Sequence, residues 1–518
     1  MTTSDGSVDV DARLGGMSLL GGSAWNAASL ILPQFYILAM SIIAARFLTP
    51  ADMGRQSYIA FIAISLTQLG SVGIPSAFQR FAGQALGRGE AGHVAYLRSW
   101  SWRVELVAAA LAGAAMAGAA ALGSEPRAAW LLAGAVCVVG VLNVVPAATL
   151  AVLQRWRGIS TTGIALGAIS TVAVAIVLAA GGGITGIFAV ECVVGSVGLC
   201  INWWLARSAM AEFGVQPVKS VELRRRATRW ALVASFVGVL AFVVWRRSEF
   251  LFLNHFSTDE HIAMFSIAFA AVTVLMKLPE AVGMVLTPAF ATMSGARQTT
   301  RIRLRYSRAL RLVMFVSIPS TALAVALGPT AIELAYGTAY ADAGRLFIIM
   351  APTLPLLSLV SMSRGLIAGV GRQRSLVAVA VFAAISNLAL AVVLIRLYDS
   401  TGAAISNASA QALAAVAYVV IARRLIGSIQ VAPGAIARNV FAAAAAGATA
   451  WATCAALGGV PGVLLGLVAF TVVYGGLAVL LHVLPGDDGR WLESVVGERL
   501  RGRRESVVRR LIAAASGA

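Results

Sequence analysis

The chain has 518 residues, 59% of them hydrophobic and 12% charged, with a formal net charge of +18. A soluble domain carries about a quarter charged residues, so the charges here are too few to coat a water-facing surface, and the long apolar blocks mark an integral membrane protein. No long hydrophilic stretch is left to fold as a receptor ectodomain, a kinase module or a nucleotide-binding cassette.

In chain order, residues 1–16 read as a cytoplasmic tail with Asp5, Asp9 and Asp11. A signal peptide needs a positive start and a short apolar core, so the first apolar run is expected to stay uncleaved. Apolar blocks follow at 17–45, 54–75, 103–123, 128–153, 161–181, 184–206, 229–254, 263–292, 307–328, 343–369, 374–397, 401–422, 434–457 and 461–484. Each is long enough to span a bilayer, which takes about 20 residues. The long 263–292 block is expected to tilt, or to kink at Pro279 and Pro288. The reading is an all-α membrane fold of about 14 transmembrane helices. Twelve is the alternative, because losing one helical hairpin keeps the count even.

Basic residues test this layout. With both termini in the cytoplasm, 32 of the 40 Lys and Arg fall in cytoplasmic segments, five on the outer side, and Arg246, Arg247 and Lys277 within spans. Such a bias is the mark of inner loops, so the positive charge does not point to nucleic acid. Residues 485–518 carry seven arginines, with Trp491, Leu492, Val495, Val496 and Leu500 at helical spacing. They read as a basic amphipathic tail lying on the anionic inner leaflet. The four cysteines sit in apolar blocks and the four histidines have no ligand spacing, so no metal site is expected.

An internal repeat organises the spans. Phe47 to Phe61, FLTPADMGRQSYIAF, follows span 1, and Phe256 to Phe269, FSTDEHIAMFSIAF, follows span 7. Both begin Phe-X-Thr, pass an acidic turn and enter the next span with Ile-Ala-Phe. Six spans of separation preserve direction, so the halves are expected as parallel repeats about an axis along the membrane normal, enclosing a cleft. The domains then read as an N-lobe at 17–206, a cytoplasmic linker at 207–228, a C-lobe at 229–425 and two extra helices at 426–484. In fold terms this is two six-helix lobes in pseudo-two-fold parallel repeat plus two C-terminal helices.

Ionisable residues inside spans carry the functional signal, because a charge costs about 2.5–3.5 kcal/mol at a helix centre. Arg246 and Arg247 in span 7 lie roughly 10 Å from its outer end at 1.5 Å per residue. Arg246 and Glu249 are i,i+3 neighbours able to pair; Arg247 points about 100° away. One reading is an internal salt pair with snorkelling to the outer surface. The other is a charged lining of an aqueous cavity, where a guanidinium fork suits phosphate oxygens. Span 1 adds Asn26, Gln34 and Ser41 within about 80° of one another on a helical wheel. Arg46 and Arg55 flank the outer ends of spans 1 and 2. Glu191 in span 6 and the pair Lys277 and Glu280 in span 8 are candidates for H+ or Na+ coupling, or for structural packing.

These passages resemble the multidrug/oligosaccharidyl-lipid/polysaccharide (MOP) superfamily, in particular its polysaccharide biosynthesis and O-antigen flippase branch. The resemblance is carried by Ala45–Phe61, Gly70–Gly83, Trp245–Phe269 and Leu334–Met350. It implies twelve to fourteen helices in two six-helix lobes around a central cavity. It also implies cationic residues that receive a polyprenyl-diphosphate sugar, with Arg246 or Arg247 at the charged position of span 7. It implies no covalent chemistry and no cofactor, a cell-membrane location, and work beside a glycan polymerase or other polysaccharide-assembly proteins. The rivals are a cation-exporting multidrug antiporter, which wants membrane carboxylates, a membrane glycosyltransferase or ligase, which wants acidic groups on a large outer loop, and a non-transporting envelope scaffold.

The layout makes a direct prediction. A cysteine introduced at Arg303, in a background without the native cysteines, is shielded from an impermeant external thiol reagent in intact cells. Labelling there would overturn the orientation.

Overall fold

The computed structural model describes residues 19–71, 73–214, 216–245, 248–295, 298–429, 432–484, 486 and 488, with side chains described except at 19–32, 237, 240–245, 277–289, 291–292, 295 and 373. These residues are mostly helical, without a strand among them. A bilayer leaves little choice: without water, each backbone N–H and C=O must find its partner inside a helix or a closed barrel.

The helices of the first half are α1 (Leu19–Phe47), α2 (Pro50–Ser71), α3 (Gly73–Gly87), α4 (Ala91–Ala121), α5 (Arg127–Val152), α6 (Trp156–Ala179), α7 (Gly183–Ala211) and α8 (Val221–Trp245). The second half holds α9 (Glu249–Phe256), α10 (Asp259–Gly295), α11 (Thr299–Tyr336), α12 (Ala341–Met350), α13 (Thr353–Gly369), α14 (Gln373–Ile426), α15 (Pro433–Leu457) and α16 (Gly459–Leu480). Among the described residues ten helices are long and apolar enough to cross a bilayer, or eleven if the bent run through α12 and α13 counts as one span.

Among the described residues each of the fourteen blocks read from the sequence falls mainly on helix. Helix α14 is 54 residues long and leaves helical geometry at Tyr398 and Asp399, so it holds the two blocks at 374–397 and 401–422. The block at 343–369 is bent by 50° between α12 and α13. The block at 229–254 is not one helix: α8 ends at Trp245 and α9 starts at Glu249. In contrast, α10 runs as one helix past both Pro279 and Pro288.

The chain forms two compact units, Met1–Phe250 and Leu251–Ala518. Helix α8 packs on α3 within the first unit. The contact is close: Gly73 has no side chain, and a Cβ there would land on the carbonyl oxygen of Ala231. Nearby, the Arg80 guanidinium lies 3.9 Å from the centroid of the Trp230 ring, a cation–π contact across the same pair of helices.

Within the first unit, α5 is the hub, packed on α2, α4 and α7. Ala129, Ala133 and Cys137 of α5 meet Met116 of α4 and Phe188 of α7 in one buried cluster. Small residues let the helices approach, as expected where lipid supplies no hydrophobic drive. Within the second unit, α13 packs on α10, α11 and α14, with Met362 and Leu366 against Tyr306 and Ala422. The two units therefore use the same pairing. The fourth span contacts the second, third and sixth, and the tenth contacts the eighth, ninth and the helix containing the twelfth. Helices α15 and α16 pack on each other and on α11.

The repeated motif occupies the same structural position twice. Helix α1 ends at Phe47 and α9 at Phe256; Thr49 and Thr258 then precede α2 and α10. The backbone N–H of Met53 bonds Thr49 O at 2.9 Å, and that of Ile262 bonds Thr258 O at 3.2 Å. Ile59 and Phe61 are buried, as are Ile267 and Phe269.

One ion cluster fastens the end of the described chain. Asp488 is fully buried and accepts from Arg311 Nε at 2.6 Å, Arg311 Nη2 at 2.8 Å and Arg308 Nε at 3.2 Å. It ties the segment after α16 to the N-terminal half of α11. Asp488→Ala would leave two partly buried guanidiniums facing each other. It should lower stability by about 2–4 kcal/mol, seen as earlier thermal unfolding in detergent. In a separate pair of variants, Gly73→Val should cost about 1–3 kcal/mol by overpacking. Gly83→Ala, where a Cβ meets nothing within 4 Å, should leave the melting temperature unchanged. Equal melting of both variants would remove the α3–α8 contact from the account.

Candidate functional site

The α1–α2 junction is built by a cap. Thr49 Oγ1 donates to Asp52 Oδ2 at 2.9 Å and accepts from the Asp52 backbone N–H at 3.2 Å, which closes the first turn of α2. Asp52 Oδ1 in turn lies 3.9 Å from Arg55 Nη1. Arg46 sits in the last turn of α1, where a cation complements the helix dipole. Both arginines are exposed. An exposed pair such as Arg55 with Asp52 contributes at most about 1 kcal/mol. Arg46 and Arg55 thus stand on either side of the α1–α2 junction in sequence, with Asp52 between them.

The second candidate region is the α8–α9 junction. Glu249 is the first residue of α9 and is fully buried, as are Ser248 and Phe250 beside it. Phe250 stacks on Phe61 of α2, with centroids 5.2 Å apart and an interplanar angle of 19°. That stack anchors the start of α9 to the first unit, on the same helix that carries Arg55. Arg246 and Arg247 lie outside the described residues, so the expected Arg246–Glu249 pair is not placed.

The remaining candidates are scattered. Gln34 is half-buried in α1, and Glu191 is half-buried in α7. Asn26 in α1 and Lys277 and Glu280 in α10 have side chains outside the described set. Among the described residues no three His, Cys, Asp or Glu side chains gather as a metal site.

Sequence reading missed other polar groups. Glu105 and Ser101 in α4 are fully buried, as Asn202 of α7 nearly is; Asn202 donates to Asn143 Oδ1 of α5 at 3.0 Å. Tyr306 OH and Ser363 Oγ are 2.8 Å apart between α11 and α13. Tyr474 OH of α16 donates to Asn439 Oδ1 at 2.9 Å, and Asn439 Nδ2 donates to the Met314 carbonyl. Glu105 had a sequence signal, a lone acid in an apolar block. It was masked by Arg103, which made the segment look like a flank. Asp488 had none: its partners are about 180 positions earlier.

Between the expected spans 2 and 3, Arg88 donates to Glu90 Oε2 at 2.8 Å, and His93 Nδ1 lies 3.2 Å from the same oxygen. The hydrogen bond from Arg88, with that from His93, pushes the Glu90 carboxyl down to about 2. Arg155 donates to Glu212 Oε2 at 2.6 Å, tying the α5–α6 turn to the end of α7. These pairs occupy segments expected to be cytoplasmic.

Residues 234–393 match the MatE family. A comparison with curated proteins finds no match. Among solved structures, the lipid II flippase MurJ in an inward closed conformation is similar with a TM-score of 0.68 at 12% identity, covering 89% of this chain and 99% of its own. The inward-facing conformation of a multidrug resistance MATE family transporter of the MOP superfamily gives 0.62 at 15% identity, over 79% of this chain and 98% of that one. A MOP superfamily transporter from Pyrococcus furiosus, reported with a binding pocket of reverse polarity, gives 0.56 at 15% identity, over 79% and 96%. The chain thus carries the fold of the MOP-superfamily transporters, with the MatE family pattern in residues 234–393.

Proposed function

We propose that this chain is a flippase that moves a polyprenyl-diphosphate-linked oligosaccharide from the cytoplasmic to the outer leaflet by alternating access, for cell-surface polysaccharide assembly. The observation that carries this reading is the sign of the charge in the expected span 7 and at the outer ends of spans 1 and 2. Arg46, Arg55, Arg246 and Arg247 stand there against Asp52 and Glu249. Support also comes from the wide coverage by a lipid flippase structure.

The chemistry follows from solvation. A diphosphate with its sugar cannot shed water into hydrocarbon at an acceptable cost. Guanidinium donors in a wet site replace that water, while the lipid tail stays in the bilayer. An inside-negative potential favours outward movement of an anion by about 2.3 kcal/mol per charge per 100 mV. Both termini then lie in the cytoplasm, residues 485–518 rest on anionic lipid, and a glycan polymerase receives the product on the far side.

One observation favours a second reading. The MatE match and the carboxylates Glu105 and Glu191 within spans suit a transporter of organic cations. The two differ in how they respond to loss of positive charge. Arg247→Ala should reduce glycan export at least about tenfold, on the order of a charge-assisted hydrogen bond of about 1.5–3 kcal/mol, with the protein still in the membrane. Arg247→Lys should retain part of the activity. Unchanged export, with drug resistance altered instead, would favour the cation transporter.

A further inference from the structure

Glu105 of α4 is fully buried, and Ser101 one turn earlier is buried equally. Neither Glu105 carboxyl oxygen nor the Ser101 hydroxyl has a hydrogen-bond partner among the described residues. Ser71, at the end of α2, lies beside the carboxyl. Its hydroxyl, however, donates to the Thr67 carbonyl at 2.8 Å. On the inner side, Trp100 and Val104 of α4 pack against Ile74 and Ala77 of α3 and Ala231 of α8. On the outer side, Gly70 of α2 lies against Ala108 and Val141. Three polar side chains are therefore enclosed by apolar walls from α2, α3, α4, α5 and α8.

The charged and titratable groups on these elements are bound elsewhere or lie apart. Arg80 of α3 stacks on Trp230. Cys137 of α5 accepts from Thr67 Oγ1 at 3.2 Å. Arg98 and Arg103 are on α4 itself, Tyr58 is at the far end of α2, and Arg229 is exposed on α8. None makes an ion pair or hydrogen bond with Glu105 among the described residues. An ionised carboxylate left so would cost several kcal/mol, and a bound proton removes that cost.

We propose that Glu105, with Ser101 and Ser71, forms a proton-binding site. The carboxyl holds a proton while α8 covers α3, and releases it to inner-side water when that contact opens. Water returns the proton before the contact closes again, so the carboxylate is never sealed in as an anion. The route is short, because Glu105 stands two residues inside the expected start of its span. The closure rests on Gly73, whose missing side chain lets α8 seat on α3. As a drive for transport the site rests on the flippase reading; as a proton site it does not.

The test needs no glycan. The full chain in lipid bilayers is examined by infrared difference spectroscopy between about pH 5 and about pH 9. The wild type should show a protonated-carboxyl band whose intensity falls as pH rises. Glu105→Gln, a neutral shape mimic of the protonated acid, should lose that band, and Glu105→Asp should shift it without abolishing it. Three results would overturn the proposal: a difference spectrum identical in wild type and Glu105→Gln, a Glu105 band constant across the whole pH range, or a band removed by sodium at fixed pH. If Glu105→Gln does not reach the membrane, the Glu105→Asp shift decides alone. Failure here leaves the glycan reading intact, and failure of glycan export leaves this titration intact.

Discussion

In hydrocarbon a helix can hide its backbone but not its charges, and the structure follows from that asymmetry. The backbone groups are satisfied along the helices, so apolar side chains such as Leu232, Val233, Val392, Val393 and Val472 can stand exposed on the surface. Ionisable groups are then placed in few ways. They sit near helix ends in pairs, as Arg155 with Glu212 and Arg311 with Asp488. They sit at the helix junction of Arg46, Asp52 and Arg55, or they are enclosed, as Glu105 is. Each enclosed or junctional charge is a cost that packing alone does not explain, which is why function is sought there.

The helical architecture was legible because hydropathy and arginine bias are strong, non-local sums. Among the described residues the fourteen apolar blocks fall mainly on helix, and the break at Tyr398–Asp399 falls between two of them. The Phe-X-Thr repeat was legible too, since both copies mark a helix end and the start of the next. What was not legible is what depends on tertiary approach. The seating of α8 on α3 depends on the Gly73–Ala231 contact, and a lone glycine in an apolar run does not announce its neighbour. The clasp on Asp488 joins residues too distant for any spacing rule. Helix α10 runs as one element through Pro279 and Pro288.

The candidate site was legible in its chemistry and only partly in its geometry. The excess of arginine over acid in span 7 and at the ends of spans 1 and 2 is a property of residue type, and it is what the proposed anionic head group rests on. The position of Asp52 beside Arg55 shows that type alone does not say which guanidinium a neighbouring acid engages. Glu105 adds a carboxyl of the opposite sign, remote in kind from the arginines and enclosed on its own. A transporter with both could use the membrane potential on an anion and a proton gradient on the carboxyl without the two sharing a residue.

The most direct measurement is leaflet transfer by the purified chain alone. Vesicles of anionic lipid would carry the protein and a labelled polyprenyl-diphosphate oligosaccharide, and a membrane-impermeant glycosidase added outside would report the fraction of head groups in the outer leaflet. The account predicts that the protein brings the inner-leaflet pool within reach of the glycosidase, faster when the interior is negative. Inner-leaflet glycan that stays protected, in vesicles where the same protein moves an organic cation, would contradict it.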